Sequence, residues 1–249
     1  MRLFGGVSWI RYGSGVNNVR GHPFHWGHLV WAVLLTGLWP GAGALAVEPA
    51  VTGPASNTPV ELLPIESAAF NRVLVSESAS LPARRQIFVA PAATEFAPVW
   101  LERFGGETSA GFRSTVLTNY GAAFTQSLQQ ALADAGWTIA PRGAPDAITL
   151  RPRLFDIYIL APNAGVGKET LVAIAGQAGM ELTFEDLQGR TFLQLEDHRY
   201  TRSPDTGAIL ANRSTNFYYF KQLMQDWSQT SASYLNGVMQ AVGGATAPD

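Results

Sequence analysis

Hydrophobic and polar positions alternate most clearly from Met180 to Glu185, where Met180, Leu182 and Phe184 are apolar and Glu181, Thr183 and Glu185 are polar. A period of two places these sets on opposite faces of a strand, one in the core and one in water. Leu171 to Leu187 and Thr191 to Arg202 flank Gln188-Gly189-Arg190, so the two runs predict an antiparallel hairpin. Upstream, Gln86 to Ala90 (QIFVA) is a short apolar run stopped by Pro91, as expected of a buried strand. Trp137 to Ala140 predicts a short strand. Ala147 to Leu160 predicts a long one, broken at Pro152 and placed at a sheet edge because proline cannot donate to a ladder.

Elsewhere the period lengthens to that of a helix. Leu117, Tyr120, Phe124, Leu128, Ala131, Leu132 and Ala135 form one apolar stripe, with Ser114 as the expected cap and Gly136 as the terminator. A second stripe, Phe220, Met224, Trp227, Tyr234, Leu235, Val238 and Met239, predicts a helix from Phe217 to Val242. The order strand, helix, strands, helix implies an α+β fold. The expected architecture is an antiparallel or mixed sheet of about five strands, with two long helices packed on one face and no internal repeat. The single domain is expected over residues 70–249, preceded by a flexible Pro/Ser/Thr-rich leader over 47–69.

The segment before that leader carries Arg2, Arg11 and Arg20 and no acidic residue, then an apolar run from Leu29 to Leu38. Ala44-Leu45-Ala46 completes the pattern of a signal peptide over 1–46, cleaved between Ala46 and Val47, which predicts export to the periplasm. The alternative is an uncleaved anchor from His28 to Val47, which would leave the chain attached to the membrane through its leader. His22, His25 and His28 are spaced like metal ligands but lie in the segment to be removed.

Composition narrows the chemistry. The 249 residues are 47% hydrophobic and 14% charged, as expected of a chain with a core. With the three leader arginines set aside, 14 basic and 19 acidic residues remain, so no basic nucleic-acid footprint exists. The absence of cysteine excludes disulfides, thiol catalysis, zinc-cysteine sites and a lipid anchor on cysteine. Gly165-Val166-Gly167-Lys168-Glu169-Thr170 fails as a phosphate loop, because Pro162 and Glu169 stand where glycine and Ser or Thr are required. Gly176 and Gly179 do not complete a dinucleotide fingerprint.

His198 is the one histidine after the leader. On a strand, Glu196 shares its face and Asp197 does not, which weakens a triad. No serine sits in a nucleophile elbow, Ser203, Ser214 and Ser228 included. Glu181, Glu185 and Glu196 share the outer face of the hairpin and suit either a pair of catalytic acids or cross-strand pairing with Arg151, Arg153 and Arg199. Asp156 and Asp197 fall among apolar strand positions and need a partner. Phe217 to Phe220, Trp227 and Tyr234 are either core or a binding surface. No residue is marked as catalytic, cofactor-binding or metal-ligating, and no cofactor is implied.

The segment FTQSLQQALADAGWTIAPRGAPDAITLRPRLFDIYILAP, beginning at Phe124, resembles a family of exported bacterial proteins known as domain of unknown function 3313. The likeness continues at Ala178 to Leu182, around Asp197 and at Asp226-Trp227, and covers about residues 73–242. Many members of that family look like lipoproteins; here Val47 follows Leu45-Ala46 where a lipobox needs cysteine. The resemblance implies an envelope protein free in the periplasm and lends no catalytic residue. The leading expectation is a non-enzymatic module binding an envelope protein or component, for instance by strand addition at a sheet edge. The alternatives are an envelope hydrolase using the hairpin carboxylates or His198, and a carrier of an apolar small molecule.

Overall fold

The computed structural model describes residues 61–76, 78–160, 170–202 and 207–244. The segment expected to direct export, its expected cleavage site, the expected leader up to residue 60, the glycine-rich loop at 165–169 and Ser203 lie outside the described residues. The described chain opens with β1 (Leu63–Ile65), β2 (Arg72–Val75), β3 (Gln86–Val89) and β4 (Ala93–Phe96). Helices α1 (Pro98–Phe104) and α2 (Ala110–Asp134) follow, then β5 (Thr138–Ile139) and β6 (Ile148–Ile159). The remainder is β7 (Thr170–Val172), β8 (Ile174–Glu185), β9 (Thr191–Arg202), β10 (Ile209–Ala211) and α3 (Arg213–Gly244).

The main sheet runs β1-β2-β9-β8-β6-β3-β5, with β4 also paired to β6, and β7 with β10 forms a separate ribbon. Pairing is antiparallel from β1 to β6 and parallel where β6 meets β3 and β4 and where β3 meets β5. The fold is therefore α+β with a mixed sheet, larger than the five strands expected from the sequence. Strand β1 lies within the stretch expected to be leader, so paired structure begins before Phe70.

Pro152 neither breaks β6 nor marks an edge, for a geometric reason. Leu150 accepts from Ala90 N on the β3 side, and residues two apart on a strand direct their backbone groups the same way. The missing N–H of Pro152 therefore falls opposite the gap between the end of β3 at Val89 and the start of β4 at Ala93, while β8 pairs along the other side.

Helix α2 starts five residues earlier than the stripe suggests: Ser109 is the cap, its hydroxyl accepting from Phe112 N at 3.1 Å. Gly136 follows the helix with φ +88°, the left-handed conformation expected of a terminator. The pairs Tyr120–Phe217, Phe124–Trp227 and Ala135–Asn236 advance together along both helices, so α2 and α3 run parallel. Both long helices cover one face of the sheet. There Met180, Leu182, Phe184, Leu150, Leu154, Phe124, Leu128 and Trp227 are buried together.

Candidate functional site

Two surfaces hold the residues that the sequence singles out. The outer face of the sheet carries the charged set. Glu181 and Glu196 are direct cross-strand partners on β8 and β9. Glu181 meets Arg153 at 3.5 Å, Glu196 meets Arg72 at 3.7 Å and Glu185 meets Arg151 at 2.6 Å, while Arg153 also pairs with Glu95. The Glu185 contact holds the Arg151 guanidinium above its ordinary pKa, through the hydrogen bond first and the charge second. Each hairpin carboxylate is thus matched by an arginine across the pleat, the arrangement that stabilises adjacent strands. Arg199, expected in this set, points to the inner face instead, where it meets Asp197.

His198 shares the outer face. Phe155, Gly179 and His198 are successive partners across β6, β8 and β9, and the two rings meet edge to face at 4.8 Å. A Cβ on Gly179 would lie 2.6 Å from Phe155 and 2.7 Å from His198, so glycine is what lets the rings close over the strand. Arg153 stacks on Phe155 at 5.0 Å. His198 is therefore one ring of an aromatic cover over a glycine. Gly176, the other fingerprint candidate, does the same inside, where Phe220 lies against it.

Asp197 is on the inner face. Its Oδ2 accepts from Trp227 Nε1 at 2.8 Å and meets Arg199 Nε at 2.5 Å, so the buried carboxylate ties β9 to α3. Asp156 has φ +51° at the irregularity where β6 shifts register against β8. A further buried carboxylate, Asp186, closes the hairpin. It accepts from the backbone N–H of Ser80, Gln188 and Arg190 and from the Arg190 guanidinium. Burial pushes its pKa up, and these donors outweigh burial and hold it below the ordinary carboxylate value.

The second surface is the end of the sheet where β6 finishes. Ile159, Gly176 and Thr201 lie in one row there. Trp100 of α1 donates to Ile159 O at 2.9 Å, Phe220 of α3 lies on Gly176, and β7 leads directly into β8. Among the described residues, eight large hydrophobics are exposed. Six of them, Val99, Leu101, Leu171, Tyr200, Leu210 and Tyr218, belong to this end, and the other two are Leu63 and Ile65 on β1. Leu171, 67% exposed, and Leu210 are direct partners in the β7/β10 ribbon. Phe217 and Phe220 pack around Tyr120, so the aromatic cluster at the start of α3 is divided between core and surface. Burial raises the pKa of the Tyr120 hydroxyl.

Between the first turns of α2 and α3 lies a half-open cavity of about 140 Å³, lined by Phe112, Val116, Tyr120, Ile159 and Phe217 with Arg213 and Asn216 among its polar groups. A broader open hollow of about 950 Å³ follows the stretch from Pro64 to Val73. None of Glu181, Glu185, Glu196 and His198 lines either one. Among the described residues, no group of three or more His, Asp or Glu side chains is placed to hold a metal ion. No described helix is long and apolar enough to cross a membrane.

No family model matches the chain, and no curated protein does. Solved structures similar to it include a PelC dodecamer from Paraburkholderia phytofirmans, at 15% identity over 64% of this chain and 95% of that one, TM-score 0.35. A dodecamer of the same PelC carrying a single leucine-to-methionine substitution is 14% identical over 64% of this chain and 97% of that one, TM-score 0.33. A neuraminyllactose-binding hemagglutinin homologue from Helicobacter pylori is 9% identical over 69% of this chain and 97% of that one, TM-score 0.34.

Proposed function

We propose that the protein is an exported, non-enzymatic binding module that docks an envelope protein or component on the end of the sheet where β6 finishes. The observation that carries this reading is the exposed apolar pair Leu171 and Leu210, direct partners in the β7/β10 ribbon, with exposed Val99, Leu101, Tyr200 and Tyr218 on the elements around that end. Scattered single apolar residues are ordinary on a protein surface, whereas neighbouring exposed ones are candidates for a partner site. The charged outer face gives no such support to hydrolysis, since its carboxylates meet arginines and line neither described hollow.

Strand addition has only short edges to use: β1 is three residues long with Pro64 at its centre, β5 is two residues long, β4 is four, and β7 and β10 of the ribbon are three each. Short strands and proline are how proteins blunt an edge. Residence in the periplasm rests on the signal-peptide pattern before Val47 and on the resemblance to an exported family carried by Phe124 to Leu160.

Leu171→Lys combined with Leu210→Glu, which places opposite charges across the ribbon, tests the reading. Both side chains are exposed, so the variant keeps wild-type circular dichroism and melting temperature while losing the envelope component that the wild-type chain retains after periplasmic crosslinking. Equal retention by the variant overturns the assignment of this end.

A further inference from the structure

The cavity between the first turns of α2 and α3 holds a polar group that neither the core nor the docking surface explains. Tyr120 is 4% exposed and packs its ring against Phe217 and Phe220, yet its hydroxyl has no hydrogen-bond partner among the described residues. The side-chain polar atoms sealed without a partner, among the described residues, are Asn216 Oδ1 and Ser231 Oγ; the Tyr120 oxygen is not one of them, so it reaches accessible space. A long side chain on a helix leans over the preceding turn, which carries this hydroxyl past Val116, another wall of the cavity. Burial raises its pKa, so it keeps its proton and is a donor. Buried tyrosines ordinarily pair the O–H, and a free one facing a cavity points to a ligand.

The rest of the lining sorts by exposure. Phe112, Val116, Ile159 and Phe217 give the cavity an apolar body, and about 140 Å³ matches one ring, since a dry apolar cavity of about 150 Å³ takes up benzene. Arg213 is exposed, lies over the Phe112 ring at 4.6 Å and has no carboxylate in ion-pair distance among the described residues. No Asp or Glu lines the cavity. Thr115 and Asn119, one helical turn apart on α2 and both exposed, form its open rim. Thr115 already donates to Gly111 O at 2.9 Å and has only acceptor capacity left, whereas the Asn119 amide has no partner among the described residues and suits a donor or an acceptor. The rim therefore accepts a polar edge without choosing its charge, and Arg213 makes that choice. Phe112, beneath the guanidinium, and Tyr120 are eight residues, or about 12 Å, apart along α2. A cation thus marks one end of the cavity and a neutral donor the other.

We infer that this cavity binds a small aromatic carboxylate with a hydrogen-bond acceptor para to the acidic arm, that is, a phenolic acid. The ring lies among Phe112, Val116, Ile159 and Phe217, the carboxylate pairs with Arg213 at the open end, and the phenolic oxygen accepts from the Tyr120 hydroxyl. The site is independent of the partner-docking reading: Leu171 and Leu210 do not line it.

The test is a titration of the purified chain, followed by backbone amide NMR shifts, with para-hydroxyphenylacetate, phenylacetate and para-cresol. Saturable shifts at Val116, Asn119, Tyr120 and Phe217 are expected with para-hydroxyphenylacetate. Phenylacetate, which lacks the acceptor, binds about fivefold more weakly. Para-cresol, which lacks the carboxylate, binds about threefold more weakly, as loss of an exposed charge pair should give. Tyr120→Phe removes a hydroxyl that holds no partner in the fold, so the melting temperature is not lowered while the two acids come to bind equally. A purely structural tyrosine would change stability and leave the preference in place. Arg213→Gln, at an exposed position, costs both acids about threefold and leaves para-cresol unchanged. The proposal is overturned by absence of saturable shifts at the cavity with para-hydroxyphenylacetate, by equal binding of the two acids to the wild-type chain, by a preference that survives Tyr120→Phe, or by acid affinity unchanged in Arg213→Gln.

Discussion

Replacing Asp197 by alanine tests the one buried charge that ties the sheet to α3. Asp197 is 4% exposed and Trp227 is 0% exposed, and the indole N–H has Asp197 Oδ2 as its partner at 2.8 Å. A hydrogen bond to a charged acceptor contributes about 1.5–3 kcal/mol, and a buried donor left without a partner costs about 1–3 kcal/mol. Arg199 is a third exposed and also donates to Ala69 O, so water and that carbonyl receive its charge once the carboxylate is gone. The expected loss for Asp197→Ala is therefore about 3 kcal/mol. Trp227→Phe removes the donor as well as part of a core ring. In Asp197→Ala combined with Trp227→Phe no stranded N–H remains, so the two single losses exceed the double loss by about 2 kcal/mol. Urea unfolding of the four proteins, with slopes unchanged, gives the coupling directly. A coupling below about 0.5 kcal/mol would refute the reasoning, because the carboxylate and the indole would then be independent.

Other expectations rest on separate contacts. The Asp186 carboxyl has a folded pKa below its unfolded value near 3.9, so its contribution is full above that value and is lost as pH falls through the folded pKa. Asp186→Asn should accordingly cost about 2 kcal/mol at pH 7, with the gap to wild type closing as pH falls towards 2; a gap constant with pH in urea melts contradicts the clamp. Gly176→Ala puts a Cβ 2.1 Å from the Tyr158 carbonyl oxygen, which is backbone and cannot swing aside, whereas Gly179→Ala meets only the rings of Phe155 and His198. The first should cost at least about 2 kcal/mol and the second about 1 kcal/mol, read from thermal melts; the reverse order would show the rings to be the rigid partners. Glu181→Gln or Glu196→Gln, each removing one partly exposed ion pair, should shift stability by less than about 1 kcal/mol.

The elements legible in the sequence are those whose signal is local. Met180, Leu182 and Phe184 alternate within one strand, and all three are buried; Gly136 stops α2 where a glycine must. Ser109 escapes recognition as the cap because the first turn it begins holds Gly111 and Arg113 and lies outside the apolar stripe. Strands β1, β4 and β10 are three or four residues long and are fixed by distant partners, so no periodicity announces them, and the run expected as one strand from Leu171 splits into β7, where Leu171 meets Leu210, and β8 from Ile174. Pro152 misleads because the strand beside it is interrupted at just that height, a fact of tertiary pairing.

The candidate sites follow the same division. That Asp197 needs a partner is readable from its apolar neighbours, but the indole of Trp227, thirty residues away, is not identifiable from them. The hairpin carboxylates are recognisable as one face, and their match to arginines needs only the cross-strand register to become definite. The apolar end and the cavity between α2 and α3 cannot be seen at all, because they gather residues from α1, α2, β7, β10 and α3. The parallel packing of the helices is what brings Phe112 beside Arg213.

Site-specific photocrosslinking in Gram-negative cells tests the docking end most directly, with the photoreactive group placed in turn at Val99, Leu171, Leu210 and Tyr218, and at Arg151 and Gln194 on the charged face. The same envelope protein or component should be captured from the first four positions and from neither of the last two, on a chain whose amino terminus is Val47. Equal capture from both sets, or none from the first four, would contradict a binding module that works through that end.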